Sequence, residues 1–229
     1  MATVSGLIDT VLAYTEDISA TDNDNTTRRA RLLQYMQEVI DEIWNFKEWA
    51  FKTVAATTVT VAANANSADL PADFQEFGQM GGAWDAQGAR MQEIPIQELE
   101  RVRQGGAQAA ANNYLYNNVF AVYGFNTTTS RHKLQVPLQS AAITCSISYQ
   151  KIPPTLADTT NTTTNGLNYL PVSYHNSVVL AGTVAKAKAS TGDARDWESK
   201  YRNGLAYMVA RERNKKTAVT RIPYHSRMW

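Results

Sequence analysis

The chain has 229 residues, 44% of them hydrophobic and 19% charged, which suits one compact unit, or a core with an inserted subdomain, and excludes wholesale disorder, a collagen-like repeat and a coiled-coil rod. The formal net charge of +1 argues against a nucleic-acid binder that works through its whole surface. The charge is unevenly spread, however: 11 of the 22 basic residues but only 4 of the 21 acidic ones lie from Lys186 onward, a net of +7 there against −6 before it.

Cys145 is the single cysteine, so this chain alone forms no disulfide and no cysteine-based zinc site, which fits a reducing compartment. The N-terminus meets Asp9 without a basic leader, and no apolar run approaches the roughly 18–20 residues of a membrane span. A soluble, non-secreted protein is expected.

In chain order, Leu7, Ile8, Val11 and Leu12 share one helical face and predict a short amphipathic helix over Ser5 to Asp17. After the polar turn Thr21 to Asn25, the residues Leu32, Leu33, Met36, Val39, Ile40, Ile43 and Trp44 repeat at helical spacing and predict a second helix from Thr26 to Trp49. Thr57 to Val61 is rich in β-branched residues and reads as a strand. Asp85-Ala86-Gln87-Gly88 is a candidate hairpin turn, and Pro95 to Arg103 a helix with proline in its first turn. Val119 to Tyr123 and Lys133 to Val136 are expected to pair. Ile143, Cys145, Ile147 and Tyr149 alternate with polar residues, the period of a half-buried strand, which Pro153-Pro154 ends. The Asn/Thr loop Asp158 to Gly166 is expected to be too polar to pack.

A second helical block follows Leu170-Pro171. Val178, Gly182, Ala185 and Ala189 place small side chains on one face for a close neighbour, Gly192 is a stop, and Asp193 a cap. Trp197, Tyr201, Leu205 and Met208 form the apolar stripe of a last helix that fades near Asn214, and Pro223 favours an extended tail. The expected fold class is α+β: helices of residues 1–50 and 170–214 forming a helical bundle core, an inserted β-rich region over 51–169, and an extended basic tail over 215–229.

No residues predict catalysis, cofactor binding or a metal site. The phosphate loop, dinucleotide fingerprint, nucleophile elbow and zincin motifs are all missing. His132, His175 and His225 lie in three separate segments and suit surface or capping roles. Asp22-x-Asp24 opens like a calcium loop but lacks its glycine and its closing glutamate. Cys145 has no charged sequence neighbour to lower its pKa and reads as structural. Trp44, Trp49 and Trp84 read as core or subunit contacts rather than a glycan platform.

The tail asks for a partner. Arg211, Arg213, Lys215, Lys216, Arg221 and Arg227 surround a single acid, Glu212, and Tyr224 and Trp229 add aromatic bulk. A solvated cationic end, nucleic-acid binding by counterion release and docking on a protein through arginine and aromatic anchors all remain open on composition.

The order of short motifs adds a resemblance. Trp44-Asn-Phe-Lys-Glu-Trp49 closes paired N-terminal helices, Leu70-Pro-Ala-Asp-Phe74 follows the first strand, and Ser148-Tyr-Gln-Lys-Ile-Pro-Pro-Thr-Leu156 ends the β region. Tyr169-Leu-Pro-Val-Ser-Tyr-His175 opens an Ala-rich helix, and Trp197-Glu-Ser-Lys-Tyr201 begins the last one. Over about Gly6 to Asn214 the chain resembles the head-to-tail adaptor (connector, or head-completion) proteins of tailed bacteriophages.

That resemblance implies a non-enzymatic virion structural protein at the neck, assembled in the host cytoplasm and without a membrane role. It implies a dodecameric ring of the chain with itself, joining the portal protein to a tail nozzle or other tail protein and enclosing a channel through which double-stranded DNA passes without sequence readout. It also implies that the segment after the last helix docks on the portal, the place held here by Arg211, Arg213, Lys215, Lys216, Arg221, Tyr224, Arg227 and Trp229. The alternatives are a nucleic-acid-binding protein that uses the basic tail, and a tail or receptor-binding module.

Overall fold

The computed structural model describes residues 3–15, 25–78, 81–104, 118–137, 140–189 and 193–219. The fold is α+β and divides into two compact units, residues 1–51 with 153–229, and residues 52–152.

The first unit is helical. Helix α1 (Val4–Tyr14) starts where the Thr3 hydroxyl accepts from the Gly6 N–H at 3.0 Å, capping a free donor. It buries Val4, Leu7, Ile8 and Val11, and it ends at Tyr14, short of the expected Asp17, with Thr15 as its cap at φ −89°, ψ 1°, outside helical geometry. Helix α2 (Asn25–Phe46) buries Leu32, Met36, Val39, Ile40, Ile43 and Trp44. It stops before the predicted Trp49, and the Trp49 indole N–H donates to the Ile43 carbonyl at 2.6 Å. One of the four carbonyls left open at the helix end is thus satisfied by a side chain that is itself fully buried.

The Asn/Thr loop is exposed or half-buried from Asp158 to Thr164, in line with its polarity, and the strap of residues 153–169 packs on either side of it. Leu156 and Leu167 are buried among the helices, and Asn165, at the end of the loop, is 1% exposed, its side-chain oxygen accepting from the Leu167 N–H. That bond offsets the desolvation penalty of burying the Asn165 side chain. Gln37 on α2 reads the strap at two points, donating to the Pro154 carbonyl (3.1 Å) and accepting from the Leu156 N–H (2.8 Å). Arg29 forms a fork with Asp158, both bonds 2.8 Å, and also pairs with Asp9 and the Ser5 hydroxyl. The Arg29 hydrogen bonds hold the Asp158 carboxyl below the usual carboxylate range. Residues 153–169 accordingly belong to the helical unit, not to the β-rich one.

After a π-helical turn (His175–Leu180) come α4 (Ala181–Lys188) and α5 (Arg195–Val219). The small-residue face does admit close neighbours: a Cβ on Gly182 would meet Val39 at 2.9 Å and the Tyr201 ring at 3.0 Å. Ala189, expected on that face, is exposed. Asp193 does not cap α5. The Ala194 carbonyl takes the first helical bond, from Glu198 N–H, while the Asp193 carboxylate lies 3.7 Å from Lys188 Nζ.

The second unit holds two sheets. In one, β1 (Thr53–Val61) pairs antiparallel with β8 (Ile143–Lys151), from Thr53 opposite Gln150 to Val61 opposite Ile143. A bulge after Val54 carries Ala56 at φ 52°. The other edge of β8 takes β3 (Phe74–Glu76) and β4 (Gly82–Trp84). The second sheet runs β2 (Ser67–Asp69), β7 (Arg131–Gln135), β6 (Val119–Asn126), β5 (Gln92–Glu93), with β5 and β6 parallel. Alternation places Cys145, Ile147 and Tyr149 in a core shared with Val59, Leu70, Phe74, Phe120 and Leu134. The turn predicted at Asp85 is closed by its carboxylate, which accepts from the N–H groups of Gln87 and Ala89. Helix α3 (Ile96–Gln104) buries Leu99 against Val119 and Ala121.

Candidate functional site

The predicted docking segment grows out of α5. Trp197, Tyr201, Leu205 and Met208 turn inward, Met208 completely. Gly204 lets the backbones touch: a Cβ there would meet the Ser177 carbonyl oxygen at 2.4 Å and Val178 at 3.1 Å. Near the start of the helix the Trp197 ring lies 4.8 Å from that of Tyr14, with Lys200 Nζ 4.0 Å from its centroid. The Tyr201 hydroxyl donates to Glu42, and burial beside that carboxylate raises its pKa. The helix is therefore held along its length before the basic stretch begins.

Of the predicted docking residues, Arg211 is anchored: its Nη1 donates to the Ser173 hydroxyl at 3.3 Å and its guanidinium lies 6.0 Å from the Tyr174 ring centroid. Glu212, the acid read as part of the basic stretch, is buried at 3% exposure, so the exposed charge there is more positive than composition implies. Arg213, Lys215 and Lys216 fall on helical backbone, because α5 continues past Asn214 to Val219. That corrects the expectation of an extended chain from residue 215. No helix breaker stands before Pro223, and the Lys and Ala residues here are good helix formers. Arg221, Tyr224, Arg227 and Trp229 lie outside the described residues.

The groups considered for chemistry that lie among the described residues each make packing contacts. Cys145 is fully buried, and desolvation, with the nearby Asp85 charge, pushes its thiol up, away from the reactive thiolate. His175 is buried with Nε2 2.9 Å from the Leu170 carbonyl and 3.1 Å from that of Leu167. Two acceptors require that nitrogen to carry the proton. The His132 ring packs against Phe125 and Phe74. His225 and the Asp22-x-Asp24 segment lie outside the described residues, among which no group of three or more His, Cys, Asp or Glu is placed to hold a metal ion. Trp44 and Trp49 are core, and Trp84 is half-buried on β4. Among the described residues no helix is long and apolar enough to cross a membrane.

The short motifs are joints of the fold. Tyr149 of the Ser148–Leu156 motif donates its hydroxyl to Asp73 of the Leu70–Phe74 motif at 2.6 Å, and its ring lies 5.5 Å from that of Phe74. The Ile152 N–H donates to the Asp73 carbonyl at 2.8 Å. In the Trp44–Trp49 motif, Phe46 stacks on Trp49, which stacks on Phe51. These joints read as one architecture throughout, and the model of the SU10 adaptor protein family matches residues 2–222.

The chain belongs to the SU10 adaptor protein family.

No curated protein matches it. Membership makes the adaptor a phage structural protein with a virion location, in a family that implies interaction with other head and tail proteins.

Proposed function

We propose that the adaptor forms a dodecameric ring that joins the portal to a tail nozzle or other tail protein and encloses the channel for double-stranded DNA. In this reading the helical unit is the bundle core of the ring, the β-rich region is an insertion facing the tail, and the basic segment from Arg211 to Trp229 docks on the portal. The family match over residues 2–222 carries the reading. The anchoring of Arg211 and the burial of Glu212 support it, since they leave a fixed root and a cationic end with no exposed acid between Lys200 and Val219. A closed ring needs heterologous side-to-side contacts, and uneven charge suits a part set between different partners.

The test is electron microscopy of the adaptor mixed with portal. Twelve-fold rings added to the portal, lost when residues 211–229 are removed, are the expected result. Rings that persist after that removal would refute tail docking. Salt-steep DNA affinity in place of any protein assembly would favour the nucleic-acid alternative.

A further inference from the structure

The surface around Arg211 carries exposed apolar side chains as well as charge. Tyr207 is 60% exposed, Val172 49% and Tyr169 47%. Gly204, Tyr207 and Arg211 are three and four residues apart, so they share one strip of α5. Residues 173–177 run along that strip: the Ser173 hydroxyl receives the Arg211 bond, and the Ser177 carbonyl lies where a Cβ on Gly204 would be. Val172 is thereby carried to the level of Arg211, with Tyr207 one turn earlier on the helix.

The support beneath these side chains is fixed. Two 3-10 turns, Leu167–Tyr169 and Val172–Tyr174, present Tyr169 and Val172. His175, 2% exposed, ties the first turn to the π-helical one by donating to the carbonyls of Leu167 and Leu170. The Tyr174 N–H donates to the Pro171 carbonyl at 2.9 Å, and the Ser177 hydroxyl donates to the Ser173 carbonyl at 3.0 Å. The Tyr174 ring, 1% exposed, forms the floor beside the Arg211 guanidinium. A surface already ordered in this way loses little conformational entropy when it is occupied. Tyrosine and arginine are also the side chains enriched in interface hot spots.

Charge and continuity select the occupant. From Thr159 to Ala185 the chain has no Asp, Glu, Lys or Arg. From Lys200 to Val219 the only acid, Glu212, is buried, while Lys200, Arg202 and Arg211 are exposed. Both segments that form the surface are therefore free of exposed acids, and its charge is positive. The Ser173 bond uses one of the five N–H donors of a guanidinium, and the geometry of the rest suits a carboxylate. Arg211 is also the first residue of the docking segment, so the partner of that segment comes against this surface.

We propose that Val172, Tyr207 and Arg211 form a fixed seat for the portal, occupied by a portal segment that sets a carboxylate on Arg211 and apolar side chains on Val172 and Tyr207. The seat rests on the portal-docking reading, and it moves part of that contact from the tail to the body of the helical unit.

Portal binding by full-length variants tests it. Val172→Ala combined with Tyr207→Ala should lower portal affinity by about tenfold or more with the thermal midpoint unchanged. Tyr123→Ala, equally exposed in the other unit, should leave the affinity as it is. Val172→Glu should bind about tenfold more weakly than Val172→Lys, since both remove the valine contact and differ in charge. Equal affinities of those two overturn the acidic occupant and with it the proposal. If the double alanine variant binds like wild type while removal of residues 211–229 abolishes binding, the seat is refuted and tail docking stands. If wild type does not bind portal, both fall. A benzophenone photo-cross-linker at residue 207 decides the matter should a variant unfold. Capture of the portal supports the seat, and capture of a second adaptor, of the chain's own residues 220–229, or of nothing refutes it.

Discussion

Gly204→Ala is the substitution whose sign the packing decides. On an exposed helix surface, alanine in place of glycine gains about 1 kcal/mol from helix propensity. At residue 204 the added methyl would sit 2.4 Å from the Ser177 carbonyl oxygen, against about 3.3 Å for the closest ordinary carbon–oxygen contact. The obstacle is backbone, so α5 must withdraw by about 1 Å. A gap of that size forfeits roughly a quarter to a half of each dispersion contact it opens, here those of Tyr201, Leu205 and Met208. Overpacking of this kind costs about 2–3 kcal/mol; less the propensity gain, the net is a loss of about 1–2 kcal/mol. In urea, followed by circular dichroism and tryptophan fluorescence, the midpoint should fall by about 0.5–1 M for a slope near 2 kcal/mol/M. Ala206→Gly, exposed two residues on, should cost about 1 kcal/mol by propensity alone. A Gly204→Ala protein with a raised midpoint would refute the close helix contact and, with it, the rigid root assigned to the docking segment.

Asp158→Asn should cost about 1–2 kcal/mol by leaving Arg29 with half its fork, read as a lowered thermal midpoint. Because the folded Asp158 carboxyl is held below its unfolded value, its contribution is present above the unfolded carboxylate pKa and is lost as pH falls through the folded one. The acid limb of a stability–pH curve should therefore be shallower in Asp158→Asn. Native protein should leave Cys145 unmodified by a thiol reagent at pH 8 and become fully reactive in denaturant; fast native labelling would contradict its burial. Tyr149→Phe should cost about 1 kcal/mol for the lost bond to Asp73. In the wild type this phenol is raised by burial and by Asp73, so an alkaline absorbance titration should show one late tyrosine fewer in the variant, with Tyr201 titrating late in both.

Periodicity made the helical cores legible. The stripes of α1, α2 and α5 and the alternation of β8 face inward as their spacing predicts. What it did not reveal depends on contacts distant in sequence. The strap that carries the Asn/Thr loop is held at Pro154, Leu156 and Asp158 by Gln37 and Arg29, far from it along the chain, and no local window contains them. The apolar stripe of α2 runs to Trp44 and carries no sign that Trp49 lies past the helix end with its indole capping it from outside. The expected extended tail follows from the loss of the stripe near Asn214 and from Pro223, but proline ends a helix only near its own position, and Lys and Ala before it favour helix. At the candidate site, the inward turn of Glu212 and the anchoring of Arg211 were invisible to composition. On β6, Tyr123 and Phe125 are exposed at a register shift between Val122 and Phe125, which alternation does not encode.

The continuation of α5 to Val219 changes the form of the segment proposed to dock. Over residues 215–219 the helix advances about 7–8 Å, where extended chain would advance about 17 Å. Arg213, Lys215 and Lys216 instead ride on a rod that advances about 1.5 Å per residue. In the proposed docking the portal must therefore meet these three positions on a helix rather than on an extended strand. Thr217→Pro, which breaks that helix, should weaken capture of the portal.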